Sequence, residues 1–331
     1  MSLRLVFSKR VFKLKRAQHS VHPTGGSLRV FRQFAWLEVD SVKVALSRPT
    51  HQRVTPTVRQ QRISMNKLTN TEINWQEESR RFDGVAALYD IYRPNYPEKL
   101  LEALISMTGL QPDSKILEIG SGTGKATLML AQRNFSVHCI ERGHNLVAIA
   151  TRNLKDFPQV TFETVSFEEW NVSQGRFDLV ISAQAFHWIP REIGYAKAAQ
   201  ALKNQGHLAL FWNMYPDPES PIFLELRNVY QVCAPELSDK PNSCEAVIEQ
   251  RESEIRESGV FYNVKTFRFP WSVKYEVQEY LGLLNTYSDH LRLPEEKREN
   301  LFKEVANVIQ RYGGYIEKPY LAVLYVAQKA A

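Results

Sequence analysis

The sequence predicts an α/β fold built on a mostly parallel sheet of seven strands, with helices on both faces and a helical cap inserted after the fifth strand. Three observations carry this. Short, nearly continuous apolar runs alternate with helical stretches of about ten residues, the pattern of repeated βαβ units. The runs lack the polar alternation of a half-exposed strand, so both sheet faces are covered. A glycine-rich turn, Gly120-Ser121-Gly122-Thr123-Gly124, stands between the first run and the helix after it.

The elements follow in order. Apolar residues at Leu100, Leu101, Leu104 and Ile105 make a helical stripe from Pro97 to Met107. Lys115–Ile119 is the first strand, and a helix over Ala126–Gln132 follows the glycine turn. Ser136–Ile140 is the second strand, with a helix from Asn145 to Leu154. Val160–Glu163 and Phe177–Ser182 are the third and fourth, Arg191–Leu202 is a helix, and His207–Trp212 is the fifth strand. Val264–Phe269 and Tyr320–Val326 complete the sheet. The cap is expected at about 215–260 and 275–312, from the helical stretches Ser220–Ser258, Tyr275–Tyr287 and Pro294–Arg311.

Charge divides the chain. Of 331 residues, the first 64 hold thirteen Lys and Arg against two acids, a net +11. Residues 65–331 hold 29 bases against 34 acids, a net −5. The overall +6 therefore says little about the main domain, and an acidic domain is not drawn to nucleic-acid backbones. Residues 1–64 read as a basic extension outside the fold. The readings of it are a translation start placed too early, with Met65 the first residue, an organelle transit peptide, or a functional basic arm. Val30–Val39 within it has strand character. Three scattered cysteines favour a reducing compartment and predict neither a disulfide framework nor a metal cluster. No run approaches the roughly 18 apolar residues of a membrane span, so a cytoplasmic protein is expected, with organelle import if the extension is a transit peptide.

The glycine turn excludes two ligand types. A dinucleotide fingerprint, G-x-G-x-x-G, would need glycine where Lys125 stands, and the P-loop pattern is absent. Glu141 ends the second strand, placed to accept hydrogen bonds from ribose hydroxyls or to sit as a solvated carboxylate at a helix start. Loop and acid together point to an adenosine-containing ligand without a pyrophosphate.

The segments Leu117–Gly124, Glu141, Phe177–Trp188 and Phe82–Pro97 resemble class I S-adenosylmethionine-dependent methyltransferases, in the small-molecule branch that includes trans-aconitate methyltransferase. The resemblance covers residues 82 to about 212 and implies a Rossmann-like sheet closing near residue 328. It implies S-adenosylmethionine as cofactor, with Gly120, Gly122 and Gly124 under the methionyl part, Glu118 at the ammonium and Glu141 at the ribose. Ser166 stands where an adenine-contacting acid is common, and Phe167 packs on the adenine or in the core. Tyr89 and Arg93 cover the site. Arg93 suits a carboxylate, from the cofactor or from an acidic substrate, or is a surface residue with its stem on the sheet. His187 is the catalytic candidate, as a general base or as a residue that closes the pocket. Leu284–His290 resembles a substrate-side segment. The expected function is methyl transfer to a small-molecule O-, N- or C-nucleophile. The alternatives are an RNA or protein methyltransferase, or a cofactor-binding protein without turnover.

Overall fold

A computed structural model of the chain describes residues 75–330, apart from 173 and 239–242. The expected basic extension, residues 1–64, lies outside the described residues, as does the strand suggested at Val30–Val39. The sheet has seven strands: β1 Lys115–Ile119, β2 Ser136–Glu141, β3 Val160–Thr164, β4 Phe177–Ala183, β5 Leu202–Met214, β6 Phe261–Glu276 and β7 Tyr315–Lys329. Their order is β3-β2-β1-β4-β5-β7-β6. The first five pair in parallel, while β7 runs antiparallel to both β5 and β6. The order reverses between β1 and β4, which opens a crevice at the carboxyl ends of those strands, where ligands bind in open α/β sheets.

The helices are α1 Trp75–Gly84, α2 Ala86–Tyr92, α3 Glu98–Thr108, α4 Lys125–Ala131, α5 His144–Asn153, α6 Arg191–Ala201, α7 Pro221–Cys233, α8 Cys244–Glu257, α9 Val277–Leu284, α10 Ser288–Leu291 and α11 Glu295–Arg311. The central strands are apolar because both faces are covered. One face packs Leu117, Val180, Leu208 and Leu210 with Ala198 of α6 and Ile248 and Ile255 of α8. The other packs Ile116, Leu179, Ile181 and Phe211 with Leu100 and Leu104 of α3 and Leu130 of α4. None of the described helices is long and apolar enough to cross a membrane.

Several element boundaries differ from the sequence reading, β5 among them, which runs Leu202–Met214 where His207–Trp212 was expected. The helical stretch expected over 220–258 is two helices, α7 and α8; α7 ends at Cys233, where Pro235 cannot donate to a continuing helix. The helix expected from Tyr275 begins at Val277, because Tyr275 and Glu276 still pair with Ile316 and Tyr315. A capping box then starts α9, with the Glu276 and Glu279 side chains each accepting a bond from the other's backbone N–H. The last two strands are also far longer than their apolar runs, because an antiparallel pair continues through half-polar sequence.

The cap has its own core. Leu226 of α7, Leu283 of α9 and Leu301, Val305 and Val308 of α11 bury against Tyr275 and Tyr320. It joins the glycine side of the molecule through α2: a Cβ at Gly282 would lie 2.4 Å from the Tyr92 ring. Gly282→Ala must displace the Tyr92 ring from its seat on α9. It should lower stability by about 1–3 kcal/mol, measured by urea unfolding, with a matching loss of the contact that seats α2. Unchanged unfolding would show that the α2–α9 contact has slack.

Candidate functional site

The glycine turn is held from β2. Glu141 is buried, and its two oxygens accept hydrogen bonds from Gly122 N and Gly143 N, each 2.9 Å. Burial raises the Glu141 pKa, and these backbone donors pull it back. Gly122 has φ +57° with only the Tyr89 ring edge 4.0 Å from where a Cβ would stand, so its open side faces the crevice. Gly124 differs. It caps α4 at φ +85°, and a Cβ there would lie 2.6 Å from Leu154 Cδ1. It lets α4 pack on α5 and lines neither of the cavities formed by its neighbours.

Beneath the turn sits Glu118, 1 % exposed. One oxygen accepts from Thr127 Oγ1 at 2.6 Å, and Oε1 has no partner. Thr123 Oγ1 is also buried without a partner. Burial pushes the Glu118 pKa up to about 8, helped by the neighbouring Glu141 charge and opposed by the Thr127 bond. Two buried acids thus lie on either side of the glycine turn, Glu141 on the crevice and Glu118 on a recess behind it.

Arg93 closes the opposite side, at the end of α2. It donates from Nε to Thr286 Oγ1 (2.7 Å), from Nη2 to Thr286 O (2.8 Å) and from Nη1 to Tyr215 Oη (3.1 Å). The guanidinium stands over the rings of Tyr287, at 4.4 Å, and Tyr89, at 5.3 Å. No carboxylate pairs with it among the described residues, and two of its five N–H groups stay free for a ligand. This overturns the surface alternative. Asp83 supports the same wall by accepting bonds from Asn145 N and Leu146 N at the start of α5.

A cavity of about 1480 Å³ runs from this turn to the cap. Tyr89, Arg93, Gly120, Gly122, Glu141, Ser166, Phe167 and His187 all line it, and Glu118 lines a smaller recess behind it. Ser166 donates to Glu169 Oε2 at 2.8 Å. Phe167 is 4 % exposed and stacks on Trp170, so it belongs to the core and the cavity wall at once. His187 is exposed to the cavity. Its Nδ1 accepts a 3.2 Å bond from the Trp212 indole N–H, so the neutral ring carries its proton on Nε2. The packed wall behind it, and then the charge of Arg251, push its pKa down. With no free lone pair, the ring as placed can donate to a ligand but not take its proton.

Sequence reasoning missed Tyr215, Thr286, Gln184 and Asn213. Gln184 has φ +60°, and its side-chain oxygen accepts from Asn213 N, which closes the crevice between β4 and β5. Of these, Gln184 and Thr286 lay in segments the sequence had marked, Phe177–Trp188 and Leu284–His290.

Residues 116–206, from β1 into β5, match the family model of a methyltransferase domain. The chain is an S-adenosylmethionine-dependent methyltransferase. It is similar to an uncharacterized methyltransferase of Schizosaccharomyces pombe, 26 % identical over 70 % of this chain and 88 % of that one. A Saccharomyces cerevisiae protein described as an S-adenosylmethionine-dependent methyltransferase is 30 % identical over 44 % of this chain and 50 % of its own length. Among solved structures, one described as a methyltransferase from an antibiotic biosynthesis pathway of Anabaena variabilis superposes with a TM-score of 0.51 at 17 % identity, covering 71 % of this chain and 98 % of that one. That last likeness is one of fold.

The raised Glu118 pKa has a stability consequence in the methyltransferase without ligand. Between an unfolded value near 4.5 and the folded value of about 8, the folded chain holds a proton the unfolded chain has released. Stability therefore falls as pH rises through that window and levels off above it. Glu118→Gln should be more stable than the parent at pH 9, by up to roughly 5 kcal/mol, and the gap should close towards pH 4. Thermal or urea unfolding against pH reads this directly, and parallel curves would show that the carboxyl is already paired.

Proposed function

We propose that the chain transfers the methyl group of S-adenosylmethionine to a small-molecule acceptor held between the glycine turn and the helical cap. The observation that supports this most is the single cavity of about 1480 Å³ spanning both. It exceeds the roughly 300–1,000 Å³ of a site for one small ligand, so it can take two together. Its far wall is the cap, which has its own core, and the space between cap and glycine turn is a pocket sized for small molecules.

The residues suit the cofactor. The orphaned Glu118 Oε1 and Thr123 Oγ1 are the partners a buried ammonium lacks elsewhere, and Arg93 opposite them offers two free donors to a carboxylate. The Glu141 carboxylate accepts from backbone amides and keeps lone pairs for ribose hydroxyls. Ser166 and Phe167 line the adenine side. When bound, the cofactor supplies an activated methyl on a sulfonium. The protein must place a nucleophile in line with it, about 3 Å away, and exclude water. His187 fits as an Nε2–H donor that orients the acceptor, because its other nitrogen is spent on Trp212.

Purified protein incubated with methyl-labelled S-adenosylmethionine and a metabolite extract should place label in the small-molecule fraction, identified by mass spectrometry. Label confined to RNA or protein would overturn the acceptor class, and cofactor binding with no label in any fraction would indicate binding without turnover. Glu141→Ala should weaken S-adenosylmethionine binding by about 1–3 kcal/mol, roughly five- to 150-fold, by calorimetry. Wild-type affinity in that variant would remove Glu141 from the ribose site.

A further inference from the structure

The cap carries a hydrogen-bonded relay that the cofactor site does not use. Asp289 Oδ1 accepts a 2.7 Å bond from His290 Nδ1 and a 2.8 Å bond from His290 N. With its Nδ1 proton committed to the carboxylate, the neutral His290 ring has its lone pair on Nε2. Tyr230 Oη lies 2.7 Å from that nitrogen and is therefore the donor. All three residues line the same cavity as Glu141 and Gly122. His290 is 5 % exposed, so the ring is fixed, while Tyr230 is half-buried at the cavity wall. This is the arrangement of a hydroxyl activated by a histidine that is oriented by a carboxylate.

We propose that Tyr230, through His290 and Asp289, removes the proton of a phenolic hydroxyl on the methyl acceptor. The inference rests on the methyl-transfer reading above and names the acceptor class for it. The acceptor oxygen bonds to the methyl carbon while the S–C electron pair stays on sulfur. The acceptor's proton passes to Tyr230 Oη as the tyrosine's own proton moves to His290 Nε2. The imidazolium so formed is paired with Asp289, and its proton later leaves to solvent. Tyr230 is the catalytic residue; His290 and Asp289 are positioning residues.

Two features select a phenol. The cavity is walled by Phe82, Trp188, Tyr215, Phe223 and Tyr287, which favour a flat apolar body. The Asp289 side chain is 50 % exposed beside the relay, and its negative charge opposes a carboxylate acceptor there. The buried Tyr287 hydroxyl, without a partner and on a ring 5.5 Å from His290, is a further polar group on the same wall. The other titratable groups against the relay are Arg292, which faces Asp289, and Tyr280, which faces Tyr230. His290 also packs on the Phe302 ring of α11, which carries no charge to it.

The test uses the full chain with 4-nitrophenol as probe, whose phenolate absorbs in the visible. Phenolate formation on the protein is titrated against pH with and without S-adenosylhomocysteine. The wild type should give a saturable phenolate signal. Tyr230→Phe and His290→Gln should each move its midpoint up by about one pH unit or more, a tenfold change in the dissociation constant, and Asp289→Asn by less. Thermal melting checks that the variants stay folded, and a merely structural role for the three would leave the midpoint in place. Equal midpoints in wild type and Tyr230→Phe, or no saturable signal in the wild type, would overturn the relay. Calorimetry of S-adenosylhomocysteine on the same samples separates the two readings. Normal binding with an unmoved midpoint removes the relay alone, whereas failed binding removes the cofactor reading while the titration still judges the relay.

Discussion

The buried carboxylate of Glu141 holds the site together. A charge taken out of water needs donors within reach, and here they are the backbone N–H groups of Gly122 and Gly143. Those two amides lie on different loops, one after β1 and one after β2. One side chain therefore sets the distance between the loops and the turn of the glycine segment. The glycines follow from that. A segment pulled against Glu141 runs at positive φ, and a side chain at Gly120 would meet Ala185 Cβ at 2.4 Å. The crevice between β1 and β4 comes from strand order, but its inner lining comes from this carboxylate.

Arg93 does the corresponding work across the crevice. A guanidinium without a carboxylate partner is costly to bury, and it is tolerated because three donors reach oxygens and two tyrosine rings cover its faces. The partners come from three places: Tyr89 from α2 itself, Tyr215 from the end of β5, and Thr286 and Tyr287 from the end of α9. The residue thus ties the cofactor side to the cap. An anion at its free donors would strengthen the same cluster, so ligand binding and cap position share one group.

Much of this was legible in the sequence, and the limits are physical. β1 to β4 are short apolar runs bounded by turns, so periodicity marks them within a residue or so. Glu118, Gly120, Gly122 and Glu141 sit at strand ends, where the order of elements alone places them in the crevice. The long β6–β7 pair was harder, because an antiparallel ladder continues where burial is only partial. The Arg93 cluster was out of reach, since Thr286 and Tyr215 lie 193 and 122 residues away in sequence. Gly124 belongs to the same motif as Gly120 and Gly122, yet it serves helix packing. Spacing alone does not distinguish a glycine that faces a ligand from one that faces Leu154.

The two histidines of the cavity show why residue type is a weak guide to chemistry. His187 stands after β4, where sequence order brings it near the glycine turn, and His290 stands in the cap. An imidazole can act as a base only through its unprotonated nitrogen, so what matters is the partner of each nitrogen. An indole can only donate; facing Nδ1 of His187, it occupies the lone pair and leaves an N–H towards the cavity. A carboxylate can only accept; facing Nδ1 of His290, it fixes the proton there and leaves the lone pair on Nε2, aimed at a phenol. For His187 the packed wall disfavours a charge that no acid nearby compensates, and the cation of Arg251 adds to the effect. At His290 the neighbour is Asp289, whose pKa is held below the ordinary carboxylate range, burial opposing and the histidine bond prevailing. Proton transfer in this cavity is therefore assigned by Trp212 and Asp289, neither of which exchanges a proton with the acceptor itself.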